Sequence, residues 1–251
     1  MAGHNKWSKV KRLKGALDQK RGKLFSKLAK EITLAAKMGG GDPGVNARLR
    51  SAILSARGQS MPGDNIERAI QRGTGEGPGT ASYEEVVYEG YAPGGVAILV
   101  EVATDNKNRT AADLRLIFSK NHGNLASSGS VAYLFKRKGQ ITIPCASADE
   151  DKVLEVALES GAEDVSSDPE HHVVTTAHDR LYAVAEALRS AGVSTDSQKL
   201  IYMPESTLPI VDAQTAAQVI RLCEALEERD DVQNVHANFD VAEEMLAKLS
   251  N

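Results

Sequence analysis

Aromatic side chains make up only 4% of this 251-residue chain, so its core must rest on Ala, Val, Leu and Ile. The two cysteines, Cys145 and Cys223, are far apart and form no Cys-x-x-Cys pair, which points to a reducing cytoplasmic setting. No apolar run approaches the roughly eighteen residues of a membrane-spanning helix, so no membrane partner is expected. The first residues lack the apolar core of a secretory leader, because charge begins at Lys6. Catalytic patterns are missing as well. The glycine cluster Gly73–Gly79 follows a predicted helix and lacks the Gly-Lys-Ser/Thr ending of a phosphate loop. No Gly-x-Ser-x-Gly elbow occurs. His171 and His172 are adjacent on a predicted strand, so their side chains point to opposite faces, with no further ligand at metal spacing. These absences argue for a chain that is not an enzyme, with no cofactor, no metal and no small-molecule substrate.

What is present is charge, unevenly placed. Residues 1–77 hold 16 Lys and Arg against 6 Asp and Glu, a net of +10. Residues 78–251 hold 14 against 28, a net of −14. The overall −4 therefore hides two opposed parts, and the basic one calls for a polyanionic partner. The densest cluster is Lys6, Lys9, Lys11, Arg12, Lys14, Lys20, Arg21, Lys23, Lys27 and Lys30, interrupted by one acid, Asp18. His4 and Asn5 could add contacts to phosphate or base edges. Trp7, the single tryptophan, could stack on an unpaired base or pack as the largest apolar side chain of its domain.

Periodicity predicts a helix over 21–38, with Phe25, Leu28, Ile32 and Ala35 on one face. Lys20, Lys23, Lys27 and Lys30 repeat that spacing five residues earlier. Five residues turn a helix by about 140°, so the lysines form a second face, offered to an anion. Gly39-Gly40-Gly41 should stop the helix. Asp42-Pro43 reads as the start of the next, carrying Val45, Leu49, Ala52, Ile53 and Ala56. A further helix follows Met61-Pro62, and another short one is expected over 6–17. Residues 1–78 are thus expected to form a basic helical domain, with the glycines at 73–79 as linker.

From Tyr83 the texture becomes mixed α and β. Two β-rich runs flank Pro93-Gly94-Gly95 as a hairpin, a helix spans 108–122, and 130–135 reads as a strand. Residues 139–203 follow the order β-α-β-β-α-β, which is ferredoxin-like. Strand, helix and strand at 206–238 would then complete the 83–135 unit, and a last helix would cover 241–249. The expected fold is α+β and multidomain: 1–78, then 79–136 with 204–251, then an inserted domain at 137–203. The "TDNKNRT" stretch, 104–110, joins a strand to a helix. Its Thr, Asp and Asn suit helix capping; alternatively, Lys107 and Arg109 beside a helix N-terminus could take an anion or an acidic partner.

Six stretches together resemble the YebC/PmpR family, whose relatives include the mitochondrial translational activator of cytochrome oxidase. They are the "AGHNKWSKVKRLKGALDQKRGKLFSKLAKEI" start, "GGGDPGVNARLRSAI", "MPGDNIERAI", "YEGYAPGGVAI", "TDNKNRT" and "GSVAYLF". The resemblance implies three domains, one α/β domain being inserted in another. It also implies one of two activities. Some members are described as DNA-binding transcriptional regulators, others as ribosome-binding translation factors that relieve stalling at proline runs. On this chain the nucleic-acid contacts would fall within 4–30. Ala92, Asn124 and Ala126 depart from the family's more glycine-rich loops. The expectation is a cytoplasmic regulator of gene expression that binds DNA or, alternatively, ribosomal RNA. No helix-turn-helix with spaced base-reading residues is evident, and Lys positions on phosphate better than it reads bases.

Overall fold

A computed structural model describes residues 21–76, 83–242 and 245 of the chain. The fold is α+β, with two compact units. One is formed by described residues within Met1–Leu34, Gly79–Lys136 and Met203–Asn251, the other within Ala35–Pro78 and Arg137–Tyr202.

The first unit begins with most of helix α1 (Arg21–Gly39). Its sheet is built on a hairpin, β1 (Glu84–Tyr91) and β2 (Ala97–Thr104), joined by a 3-10 turn at Pro93–Gly95. The register sets Gly90 opposite Ile98. Strand β2 is central and buried along nearly all its length, which explains its continuous "AILV" start. Helix α4 (Lys107–Lys120) leads to a two-residue edge strand, β3 (Asn124–Leu125). A Cβ on Gly90 would stand 2.5 Å from the Phe118 ring and 2.8 Å from the Asn124 carbonyl, so only glycine lets β3 and α4 close on β1. Ala92 sits in extended backbone (φ −90°, ψ 172°), so alanine is accommodated there without strain.

After the second unit the chain returns as β8 (Leu208–Ile210), α7 (Ala213–Glu227), β9 (Val232–Ala237) and β10 (Phe239–Val241). The sheet order is β3-β1-β2-β9, antiparallel throughout, and β10 pairs in parallel with β8. Ile98, Val100, Leu114, Phe118, Val219, Leu222 and Val235 fill the core beneath α4 and α7. Val241 thus ends a strand rather than starting the expected last helix; of the remainder of 241–249, residues 243, 244 and 246–249 lie outside the described residues.

The strand expected at 130–135 is instead a loop and a 3-10 turn, Ala132–Leu134. Glu89 is the reason. Its buried carboxylate accepts from the N–H groups of Gly129 (2.6 Å), Val131 (2.6 Å) and Ala132 (2.8 Å), which curls the segment around one charge. Burial pushes the Glu89 carboxyl upward, but those N–H groups more than offset it and hold its pKa below the usual value.

The second unit contains the end of α1, then α2 (Ala47–Gly58) and α3 (Gly63–Thr74). Helix α2 starts four residues after Pro43, not at it. Asp42 caps a local turn through Gly44 N–H (2.7 Å), and Asn46 is the N-cap. Asn46 prevails because it serves three groups: its Oδ1 accepts from Leu49 N–H (3.0 Å), and its Nδ2 donates to Ala35 O and Gly40 O (both 2.8 Å). Val45 is left outside the helix, 82% exposed. Helix α3 runs past Gly73 and ends at Gly75, whose φ of 82° supplies the left-handed cap.

Residues beyond 136 form β4 (Phe135–Pro144), α5 (Glu150–Glu159), β5 (Ala162–Ser167), β6 (His171–Ala177), α6 (Leu181–Ser190) and β7 (Ser197–Pro204). The sheet order β5-β6-β4-β7 is the ferredoxin-like arrangement. Ile141, Ile143, Val153, Val174, Leu181 and Leu188 form its core.

Candidate nucleic-acid interface

Of the residues singled out in 4–30, His4, Asn5, Lys6, Trp7, Lys9, Lys11, Arg12, Lys14, Lys20 and the side chain of Arg21 lie outside the described residues. So does the expected helix over 6–17. Lys23, Lys27 and Lys30 are described, and all three reach the same target.

That target is the C-terminal end of α7 together with the turn that follows it, 228–231. The helix forms because Asp212 caps it through Thr215 N–H (2.7 Å) and Ala216, Val219, Ile220, Cys223 and Leu226 bury one side. Its last carbonyls have no intrahelical donor, and the helix dipole places about half a negative charge there. Lys23 Nζ donates to Glu228 O (3.2 Å) and Lys27 Nζ to Glu227 O (2.6 Å). Lys30 Nζ donates to Asp230 O (2.9 Å) and to the Asp231 carboxylate (2.7 Å). The face expected to meet an external anion therefore meets an internal one. Burial increases along the ladder: Lys23 is exposed, Lys27 half-buried and Lys30 8% exposed.

Asp231 also draws in the 104–110 stretch. Its Oδ2 accepts from Thr110 Oγ1 (2.8 Å) and Arg109 Nη2 (2.9 Å). Partial burial works to raise the Asp231 pKa, but the bonds from Lys30, Arg109 and Thr110 prevail and hold it at about 2. The capping reading of 104–110 is visible in the geometry: Asn106 Oδ1 accepts from Arg109 N–H (3.1 Å), and Thr104 Oγ1 accepts from Asn106 N–H (3.0 Å). Lys107 pairs with Glu84 (2.5 Å), and Arg109 also pairs with Asp105 (2.8 Å). A cleft of about 270 Å³ opens here, lined by Lys23, Arg109 and Arg229 but also by Asp113, Glu228, Asp230 and Asp231. Among the described residues its lining is mixed, four acids and three bases.

Sequence reasoning missed Asp231 and Thr110 as partners of the lysine ladder. The available signal was the "EERDD" run directly after an apolar helix, which reads as solvated surface on its own.

His172 and Cys223 are accounted for by packing. His172 is buried, with Nε2 3.0 Å from Ala148 O and Nδ1 2.7 Å from Ser167 Oγ. A carbonyl only accepts, so Nε2 carries a proton. His171 turns elsewhere, to Asp196 at 3.2 Å. Burial pushes the Cys223 thiol well up, which leaves it unreactive. Among the described residues no three His, Cys, Asp or Glu side chains are grouped to hold a metal ion, and no helix is long and apolar enough to cross a membrane.

Comparison with known proteins adds the family. Residues 5–76 match the TACO1/YebC protein N-terminal domain, and residues 83–239 match the TACO1/YebC second and third domain. The chain belongs to the TACO1/YebC family. A relative from Rubrobacter xylanophilus is 53% identical over 250 residues, covering all of both chains, and one from Syntrophus aciditrophicus is 52% identical over the same span. Both are named probable transcriptional regulatory protein. The crystal structure of a conserved hypothetical protein from Aquifex aeolicus is similar, with a TM-score of 0.85 and 50% identity, covering 90% of this chain and 93% of that one. The TACO1/YebC N-terminal match, 5–76, holds the whole basic cluster, whereas the lysine ladder's partners lie in the second match.

Proposed function

We propose that this chain is a non-enzymatic, cytoplasmic, nucleic-acid-binding regulator of gene expression, acting as a DNA-binding transcriptional regulator. The observation that carries the reading is the charge split, +10 over residues 1–77 against −14 over the rest. The names of its full-length relatives support it. The contacts fall to Lys6, Lys9, Lys11, Arg12, Lys14, Lys20 and Arg21, with His4, Asn5 and Trp7 beside them, because Lys23, Lys27 and Lys30 are held by α7. If six of these cations each neutralise one phosphate, the salt slope is about −5 on duplex DNA, or about −4 on single strands. Affinity then falls by ~10³ between 50 and 200 mM salt. Lys107 and Arg109 would join the contact only by leaving their acids. The domains are read as 1–78, 79–136 with 204–251, and 137–203.

One observation favours a second reading, a translation factor on ribosomal RNA. The cluster over 6–30 is eight Lys and two Arg, a composition suited to phosphate and shape rather than to base edges.

A competition at ~150 mM salt, where charge alone binds weakly, tests both. Labelled full-length protein is offered ribosomes and excess random duplex DNA, beside a variant with Lys6, Lys9, Lys11, Arg12 and Lys14 changed to Gln. Transfer to DNA supports the transcriptional reading. Retention on ribosomes by the native chain alone supports the translational one. Equal behaviour of the two proteins removes the basic cluster from the account.

A further inference from the structure

The lysine ladder is built like a protein–phosphate contact with the phosphate replaced. Three ammonium groups at i, i+4 and i+7 span about 10 Å of α1; the first two meet carbonyls at the negative end of α7, and the third meets the turn just beyond it. The carbonyls belong to Glu228, Glu227 and Asp230, so the same short stretch of chain also carries three carboxylates. We propose that the acidic C-terminal end of α7 is an internal stand-in for a nucleic-acid backbone, holding Lys23 and Lys27 until a polyanion displaces it. The inference rests on the nucleic-acid reading above and adds its regulation.

The bonds are graded in a way that suits exchange at one end only. Lys23 and Lys27 donate to main-chain carbonyls, and a charged phosphate oxygen is the stronger acceptor for an ammonium group. Lys30 is different. Its partner Asp231 is also fixed by Arg109 and Thr110, so this end stays closed and acts as the pivot. The carboxylate of Glu228, exposed at this end, repels approaching phosphate. Weak, non-specific polyanions are thereby turned away, while a ligand already held by the 4–21 cluster gains two more cations by opening the ladder.

The test is a double-mutant cycle on the full chain, read as affinity for random duplex DNA at ~50 mM salt. One arm neutralises the acidic end (Glu227→Gln, Glu228→Gln, Asp230→Asn) and leaves Asp231 in place. The other changes Lys23 and Lys27 to Gln. Neutralising the acids should tighten binding roughly tenfold in the native background, the worth of two further phosphate contacts. In the Lys23→Gln, Lys27→Gln background the gain should fall to the few-fold effect of long-range charge. Glu228→Gln alone, at an exposed position, repeats the test with one mild change and should give a smaller gain with the same dependence on Lys23. Equal gains in both backgrounds, or no gain, would overturn the stand-in while leaving the nucleic-acid reading intact. Absence of binding by the native chain to duplex and to ribosomes alike would remove both.

Discussion

The two units both bury neutral polar groups, but among the described residues only the first also buries Lys and Glu side chains. The first encloses ionised side chains: Lys30 and Glu89 are nearly inaccessible, and Asp231 ties Lys30 to Arg109 and Thr110. Among the described residues the second buries neutral ones, such as Asn46, Ser51, Gln140 and Gln198, with Gln198 Nε2 donating to Ser51 Oγ at 2.5 Å. A buried ion is costly unless its partners are complete, so the first unit should answer sharply to lost charges and to pH. The second should answer to shape and to neutral hydrogen bonds.

Asp231→Ala is the strongest way to break this contrast. It leaves the Lys30 ammonium enclosed without its counter-charge, and should cost about 3–5 kcal/mol in urea unfolding. Amide exchange should accelerate around α1 and α7 and stay unchanged in the 139–203 sheet. Equal acceleration in both would erase the distinction. Glu89→Gln comes next. An amide keeps one acceptor and turns its own donors toward the N–H groups of Gly129, Val131 and Ala132, so a loss of about 3 kcal/mol is expected. Fast exchange at 129–132 would report it.

Acid should sharpen the contrast further. The folded Asp231 pKa of about 2 lies below the ordinary 3.8, so its stabilisation is complete above about pH 5 and is lost as pH falls toward 2. The native chain should lose about 2 kcal/mol more than Asp231→Asn over that window, seen as a converging pair of unfolding curves. In the second unit, Asn46→Ala should cost about 1–2 kcal/mol without pH dependence, since it removes a cap and two carbonyl contacts. Smallest of all, Lys107→Gln should leave the melting temperature unchanged, because its pair with Glu84 is exposed on both sides.

Local signals in the sequence carry much of this fold. The 3.6-residue period and the glycines after it place α1, Pro93-Gly94-Gly95 places the β1–β2 hairpin, and alternating element types give the ferredoxin-like order of 139–203. Two misreadings share one cause, a partner elsewhere in the chain outweighing a local preference. Asp42-Pro43 is a good helix start, but Asn46 also satisfies the Ala35 carbonyl of α1 and that of Gly40 just after it. The 130–135 run alternates like a strand, but Glu89, about forty residues away, gathers its N–H groups. The lysine face also has partners some 200 residues further on, which no local pattern shows.

The central claim is that the basic N-terminal part holds two classes of lysine, one for a polyanion and one held by α7. Lysine acylation of the full chain, read residue by residue with and without duplex DNA or ribosomes, tests it directly. The account predicts that Lys6, Lys9, Lys11, Lys14 and Lys20 lose reactivity when polyanion is added, and that Lys30 reacts slowly in both states. Protection that falls instead on lysines beyond residue 78, with the first five unchanged, would contradict it.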